Sequence, residues 1–379
     1  MKKTKKILFF SENRNWGGSE LLWSRAAIEL INIGHTVQVV TYSQMQLPTS
    51  LEQVFNTKKG NLIKIREAKI PKYKRIINRF LPYKLRLLSK NRKEEIILQI
   101  QPDLLVINQG LNFNGVNTML FARNNNIIYA TISQAVRESL WPDQDLRQKM
   151  QLGYNKSALN FFVSEDNYKT TETQLAYSLP NAKVVRNPFN VDYNSKLNFP
   201  SGENYKLACV GRYDFSAKGQ DILVRTFALQ KWKERNLQLT FYGEGVDIEN
   251  LKELILLHKL KNVKVSPYTS TSKIWEENHA LILSSRYEGL PLVIVEAMLS
   301  KRFAIATDVS GNAELFEDNV TGFVAAAPRV KYVDDALERA WLRRNEWQTI
   351  GVLAGKAIRQ EIPQNPAREF ANELIKLTP

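Results

Sequence analysis

Twice along its length the chain repeats one pattern, in which short apolar runs alternate with polar loops and amphipathic stretches. The runs of the first half are KKILFF (5–10), HTVQVVTY (35–42), NLIKI (61–65), DLLVIN (103–108), IIYATI (127–132), FFVS (161–164) and KVVRN (183–187). Those of the second are KLACVG (206–211), LQLTFYG (237–243), VKVSPY (263–268), ALILSS (280–285), FAIAT (303–307) and GFVAA (322–326). Runs so short and so apolar suit strands buried on both faces of a parallel sheet. Intervening stretches such as ELLWSRAAIELINI (20–33), closed by Gly34, supply covering helices. The expected fold class is α/β, two doubly wound domains facing each other across a cleft. Residues 1–190 form the first, 191–204 a polar linker, and 205–365 the second. At 379 residues the chain exceeds one ordinary core, which agrees with this division. In such sheets ligands bind beyond the carboxyl ends of the strands.

Composition excludes several classes. An apolar content of 44% speaks against disorder and fibres. The one cysteine, Cys209, rules out an internal disulfide framework and reads as a buried strand residue in LACVG. The basic start MKKTKKILFF loses its apolar character at Ser11-Glu12-Asn13-Arg14, too soon for an export signal, so a cytoplasmic chain is expected. No run approaches the roughly 20 apolar residues that span a bilayer.

Charge is concentrated in one place. Between Lys58 and Lys93 there are 14 Lys or Arg against one acid, Glu67, a net of +13 in a chain of +15. Within it, IPKYKRIINRFLPYKLRLLSK interleaves bases with Ile, Phe, Leu and Tyr. Such a surface attracts anionic headgroups at about 1 kcal/mol per base. An acidic acceptor, nucleic acid or simple solvation satisfies the same charge. The expectation is a peripheral contact with the inner face of the cell membrane, without nucleic acid.

The segment SSRYEGLPLVIVEAMLS places Glu288 and Glu296 eight residues apart around a Gly-Leu-Pro turn that opens an apolar helix. The amides of Gly289, Leu290 and Leu292 can face an anion, since the first helical turn leaves its donors unpaired. Pro291 suits the first helical position. About two turns deeper, Glu296 can reach the same cleft and hold sugar hydroxyls. In VGRYDFSAKGQDILV, Arg212 and Lys218 lie between a strand and a helix. Arg offers a bidentate fork and Lys a point charge to an anion there. Taken singly, these residues also fit a capped surface helix and two surface bases.

These segments closely resemble the E-x7-E and G-R-x(n)-K-G elements of the family-4 retaining glycosyltransferases, which have the GT-B fold of two Rossmann-like domains. The resemblance implies that Glu288 lies at the donor sugar and diphosphate, Glu296 at the ribose, and Arg212 and Lys218 at the diphosphate. Gly17-Gly18-Ser19-Glu20 resembles the family's Gly-Gly-x-Glu loop, which faces diphosphate and acceptor; Ser19 also suits a helix N-cap. Gly243-Glu244-Gly245 is similar to the donor domain's strand-Gly-x-Gly element, the third glycine of a dinucleotide fingerprint being absent. Asn187 to Asp192 resembles the interdomain stretch, and Gly311-Asn312-Ala313-Glu314 the Gly-x-x-Glu turn, where Glu314 would steady the donor loop. The last helix, within 366–379, is implied to pack back on the first domain.

Many family members have a histidine near acceptor and donor sugar, where this chain has Gln134. An amide there can donate a hydrogen bond but cannot act as a titratable base. His35, His258 and His279 read as structural. Asp143 and Asp145 read as a helix start, and no His/Cys cluster has metal spacing, so neither metal nor cofactor is implied. The expected function is sugar transfer from a nucleotide-sugar donor to a glycan or lipid-linked acceptor in surface polysaccharide synthesis. A nucleotide-sugar epimerase of the same fold and a non-catalytic membrane adaptor stand as alternatives.

Overall fold

The computed structural model describes residues 4–57, 59–66, 92–266 and 269–379; most of the basic segment from Lys58 to Lys93 lies outside them. Seven strands build the first sheet: β1 (Lys6–Ser11), β2 (Thr36–Tyr42), β3 (Gly60–Ile65), β4 (Leu104–Leu111), β5 (Tyr129–Ala135), β6 (Leu159–Phe162) and β7 (Ala182–Val184). Six build the second: β8 (Tyr205–Val210), β9 (Leu237–Tyr242), β10 (Val263–Ser266), β11 (Ala280–Leu283), β12 (Phe303–Thr307) and β13 (Gly322–Ala325). Their orders are β3-β2-β1-β4-β5-β6-β7 and β10-β9-β8-β11-β12-β13. All the pairings are parallel. Each sheet therefore reverses direction beside its first strand, between β1 and β4 and between β8 and β11. Crevices for ligands open at such reversals.

Central strands β1, β4 and β5 are buried along nearly their whole length because both faces are covered. In β1, Ile7 and Phe9 enter one hydrophobic cluster with Leu22, Ala26 and Leu30 of the helix Leu21–Asn32, while Leu8 and Phe10 enter another with Ile97, Met119 and Met150. The second sheet has its own core, around Leu207, Leu239, Leu281 and Ile305. Cys209 is buried there, and burial pushes its thiol up to about 12. The final helix, Pro366–Lys376, returns to the first domain: Phe370, Ala371 and Leu374 join its core, and the Phe370 ring meets Phe161 edge-on at 4.9 Å.

Boundaries differ from the sequence expectation where side chains recruit the backbone. The run 183–187 yields only β7, because Arg186 turns away to Val163 O and Glu314. Ser164, expected in a strand, instead accepts the Asn167 N–H and caps the helix Glu165–Leu175. Pro291 occupies the N-cap of the helix Leu292–Leu299 rather than its first turn. Ser19 does not cap a helix: the chain makes a 3-10 turn over Gly18–Glu20, and the Ser19 hydroxyl donates to Glu20. Asp143 caps the helix Gln144–Lys156 by accepting Leu146 N–H at 2.8 Å. Among the described residues no helix is long and apolar enough to cross a membrane.

Candidate active site

The second sheet's reversal point is sewn shut by its own loops. Gly219, with φ +63°, sits where an added Cβ would stand 2.2 Å from the Ser284 carbonyl oxygen. Only glycine allows that approach. Ser284 Oγ then donates to Gly219 O at 2.7 Å and Arg286 N–H to Ala217 O at 2.7 Å, while Arg286 forks onto Asp221 at 2.7 and 2.8 Å. Lys218 is thereby fixed between two anchored neighbours. Its ammonium meets Glu288 Oε1 at 2.7 Å and Oε2 at 2.6 Å. Ser285 Oγ donates to Glu288 Oε1 at 2.7 Å, and the carboxylate is only 8% exposed.

Beyond Glu288 the backbone offers donors. Among the described residues no acceptor pairs with the N–H of Gly289 or Leu290. The Glu288 N–H itself is taken by Ser310 Oγ at 3.2 Å. Arg212 behaves differently from Lys218: its side chain is 61% exposed and pairs with Asp214 at 3.0 Å. Among the described residues it forms no ion pair with Glu288.

A cleft of about 900 Å³ separates the domains; neither Lys218 nor Glu288 lines it, but Gly211, where a Cβ would stand 4.0 Å from the Lys218 side chain, does. The first domain contributes Trp16, Gly17, Gly18 and Leu21; the chain between β7 and β8 contributes Asn190, Val191, Asp192 and Lys196; the second domain contributes Gly211, Gly243, Leu292, Glu296 and the hydroxyl-rich run Thr269 to Ser272. Gly18 faces Leu292 Cδ1 across the divide, 3.2 Å from where a Cβ would stand. Glu296 Oε1 accepts from the Asn190 N–H at 2.9 Å and the Asn190 side-chain amide at 3.0 Å. Burial pushes the Glu296 carboxyl up to about 7, against the opposing pull of the two Asn190 donors and the Arg25 charge. Among the described residues no group of His, Cys, Asp and Glu is arranged to hold a metal ion.

Two further sequence candidates, Gln134 and Glu314, lie at a seam between the domains. A Cβ on Gly289 would stand 1.8 Å from the carbonyl oxygen of Gln134, so the glutamate loop rests directly on the end of β5. The Gln134 side chain is buried, and neither its Oε1 nor its Nε2 has a partner among the described residues. Glu314 does not line the cleft: it accepts the N–H groups of Glu165 at 3.1 Å and Asp166 at 2.7 Å, and pairs with Arg186 at 3.2 Å. It thus ties the second domain to the positive end of a first-domain helix. Gly245 packs on the Tyr213 backbone, and Ser19 supports the buried Glu20. His35 and His279 each accept a backbone N–H through Nδ1.

Sequence reasoning missed Trp16, Asn190, Arg25 and the Thr269–Ser272 rim. Four successive hydroxyl residues after a strand were a usable signal, and Asn190 lies within the Asn187 to Asp192 stretch already noted; Trp16 and Arg25 carried none.

Residues 192–350 match the family model described as Glycosyl transferases group 1. The poly(ribitol-phosphate) alpha-N-acetylglucosaminyltransferase of Staphylococcus aureus (strain COL) is 34% identical over 107 residues, 27% of this chain and 22% of that protein. The amylovoran biosynthesis glycosyltransferase AmsD of Erwinia amylovora is 32% identical over 224 residues, 56% of this chain and 57% of that one. This chain therefore spans from about a fifth to just over half the length of these relatives. Among solved structures, Anabaena HepE in complex with UDP has a TM-score of 0.76 over 98% of this chain and 99% of its own, at 16% identity. TarM has a TM-score of 0.73 over 98% and 99%, at 15% identity. The chain has the GT-B fold, and its second domain carries the glycosyl transferases group 1 match.

Proposed function

We propose that this chain is a retaining glycosyltransferase of the family-4 type. It moves a sugar from a nucleoside-diphosphate donor to a glycan or lipid-linked acceptor in surface polysaccharide synthesis. One observation carries this reading: Lys218 and Glu288 meet at the reversal point of the second sheet, the next two amides, of Gly289 and Leu290, are unpaired, and Gly211 beside the Lys218 side chain lines the cleft that also holds Glu296. A dinucleotide-like crevice with a fixed cation and free N–H groups suits a diphosphate.

In this reading the ammonium of Lys218 and the loop amides take up charge on the diphosphate as the anomeric C–O bond breaks. The acceptor hydroxyl attacks the same face, and its proton passes to the departing phosphate oxygen. The protein supplies orientation and charge stabilisation rather than a nucleophile. Glu296 holds the ribose, and Arg212 at the rim guides the incoming anion. No histidine or other titratable base is needed at Gln134. The relatives named for poly(ribitol-phosphate) and for amylovoran biosynthesis support the substrate class, and the +13 segment supports a peripheral contact with an anionic membrane.

The test is product analysis with UDP-, GDP- and ADP-sugars, with and without glycan acceptors. Sugar transfer with the donor's anomeric configuration kept is expected. Rearranged donor without any acceptor identifies an epimerase instead, and absence of nucleotide binding removes the reading.

A further inference from the structure

Arg25 carries no motif and sits outside the glutamate loop, yet it is hydrogen-bonded to the residue that holds one of those glutamates. It lies in the first-domain helix Leu21–Asn32. Its Nη1 donates to the Phe189 carbonyl at 2.7 Å and its Nη2 to Asn190 Oδ1 at 2.6 Å. Both acceptors belong to the chain segment joining the domains. Because Arg25 has only donors, it can hold only the oxygen side of the Asn190 amide. The NH₂ side must then face the other way, and there it donates to Glu296 Oε1 at 3.0 Å, beside the Asn190 backbone N–H at 2.9 Å. A flipped Asn190 would aim its oxygen at the carboxylate and repel it.

Both donors fall on the same carboxylate oxygen. Among the described residues Oε2 carries no hydrogen bond, and Glu296 lines the cleft. A carboxylate held by one oxygen and open at the other is prepared to accept from a hydroxyl. We infer that Arg25 is a positioning residue for nucleotide recognition: by locking the Asn190 amide, it makes Glu296 present Oε2 to the ribose diol. This rests on the reading of Glu296 as the ribose ligand. The positive charge of Arg25 also favours the ionised carboxylate that such an acceptor requires, against its burial.

The test is calorimetric titration of the full chain with UDP, GDP and ADP, each against its 2′,3′-dideoxy counterpart. The wild-type chain is expected to prefer the ribose form of its nucleotide by about tenfold, the worth of one hydrogen bond to a charged group. Arg25→Ala should erase that preference by weakening the ribose form alone, with the dideoxy form bound as before. Asn190→Ala should do the same and serves as the test if Arg25→Ala does not fold. In a Glu296→Gln background, Arg25→Ala should change nothing further. A variant that keeps the ribose preference, or loses both nucleotides equally, overturns the role of Arg25 alone. A wild-type chain that binds nucleotide but cannot tell ribose from dideoxyribose overturns this inference together with the assignment of Glu296.

Discussion

The ammonium of Lys218 bridges both carboxylate oxygens of Glu288, at 2.7 and 2.6 Å, although 70 residues separate them in the chain. Two residues that the sequence assigns independently to one diphosphate are thus partners of each other before any ligand arrives. The arrangement has a chemical logic. A half-buried lysine alone would cost desolvation and wander among rotamers; the glutamate satisfies it and fixes its direction. In the proposed reaction an incoming diphosphate would share an ammonium that is already in place.

Lys218→Ala should therefore lower kcat/KM at least a hundredfold, the usual scale for removing one preorganised charge donor. It also leaves Glu288 with one partner fewer in a site where it is 8% exposed, so stability should fall by about 1–3 kcal/mol. Radiolabelled sugar transfer and thermal unfolding measure the two effects. Full transfer by a folded Lys218→Ala protein would remove this pair from the mechanism.

Glu296 gives a pH prediction with a definite sign. Its carboxyl is raised from 4.5 to about 7 by burial, so the free protein holds that proton through the acid range and gives it up near neutrality. Ribose hydroxyls donate to the ionised form, so nucleotide affinity should tighten as pH rises from 6 to 8, with release of a proton on binding below pH 7. Stability runs the opposite way: the cost of burying the charge is absent below the unfolded value and complete above about 7. Glu296→Gln should flatten the affinity profile and gain stability over wild type progressively as pH rises from 4.5 to about 7, with the full gain above that. Equal pH slopes in both proteins would show that another group titrates.

Strands were legible because their composition answers to burial alone. KILFF and FAIAT are apolar on both faces, and nothing distant is required to read that. Gly219 and Lys218 were legible as a motif, but their meeting with Ser284 and Glu288 depends on β8 lying beside β11, which local pattern does not encode. Arg25 sits between Ser24 and Ala26 in an amphipathic helix and reads as a solvent-facing base; only the fold brings Asn190 to it. Ser19 was misread because a 3-10 turn buries Glu20 against Ser11 and Trp23, and the hydroxyl follows the carboxylate.

Glu314 ties the domains through two backbone N–H groups and Arg186, a charge-assisted contact at a helix N-terminus. Glu314→Gln should loosen it at a cost of about 1–2 kcal/mol. Small-angle scattering should then report a larger radius of gyration without nucleotide, and linker residues 191–204 should become more sensitive to protease. An unchanged radius and cleavage rate would make the contact incidental.

The +13 segment between Lys58 and Lys93 predicts binding to vesicles containing phosphatidylglycerol and none to phosphatidylcholine alone. Replacing six of its bases with Gln should release the chain from anionic vesicles, since each contributes about 1 kcal/mol. Co-sedimentation measures this directly, and binding that survives the replacement sinks the membrane reading.

Gln134 offers the sharpest opposition between stability and activity. Its side chain is 4% exposed, both of its polar atoms lack partners among the described residues, and it adjoins Gly289 of the glutamate loop. A buried amide left unpaired costs about 1–3 kcal/mol, and a site retains such a cost when a substrate hydroxyl, which both donates and accepts, completes it. Gln134→Leu keeps the volume and deletes the orphaned atoms, so the unliganded protein should melt a few degrees higher. Transfer should nonetheless fall at least tenfold, because the sugar hydroxyl then faces an apolar wall. Differential scanning calorimetry and transfer kinetics on the same preparation decide it. A variant with a lower melting point and undiminished transfer would show that the amide is satisfied by bound water and serves the fold alone.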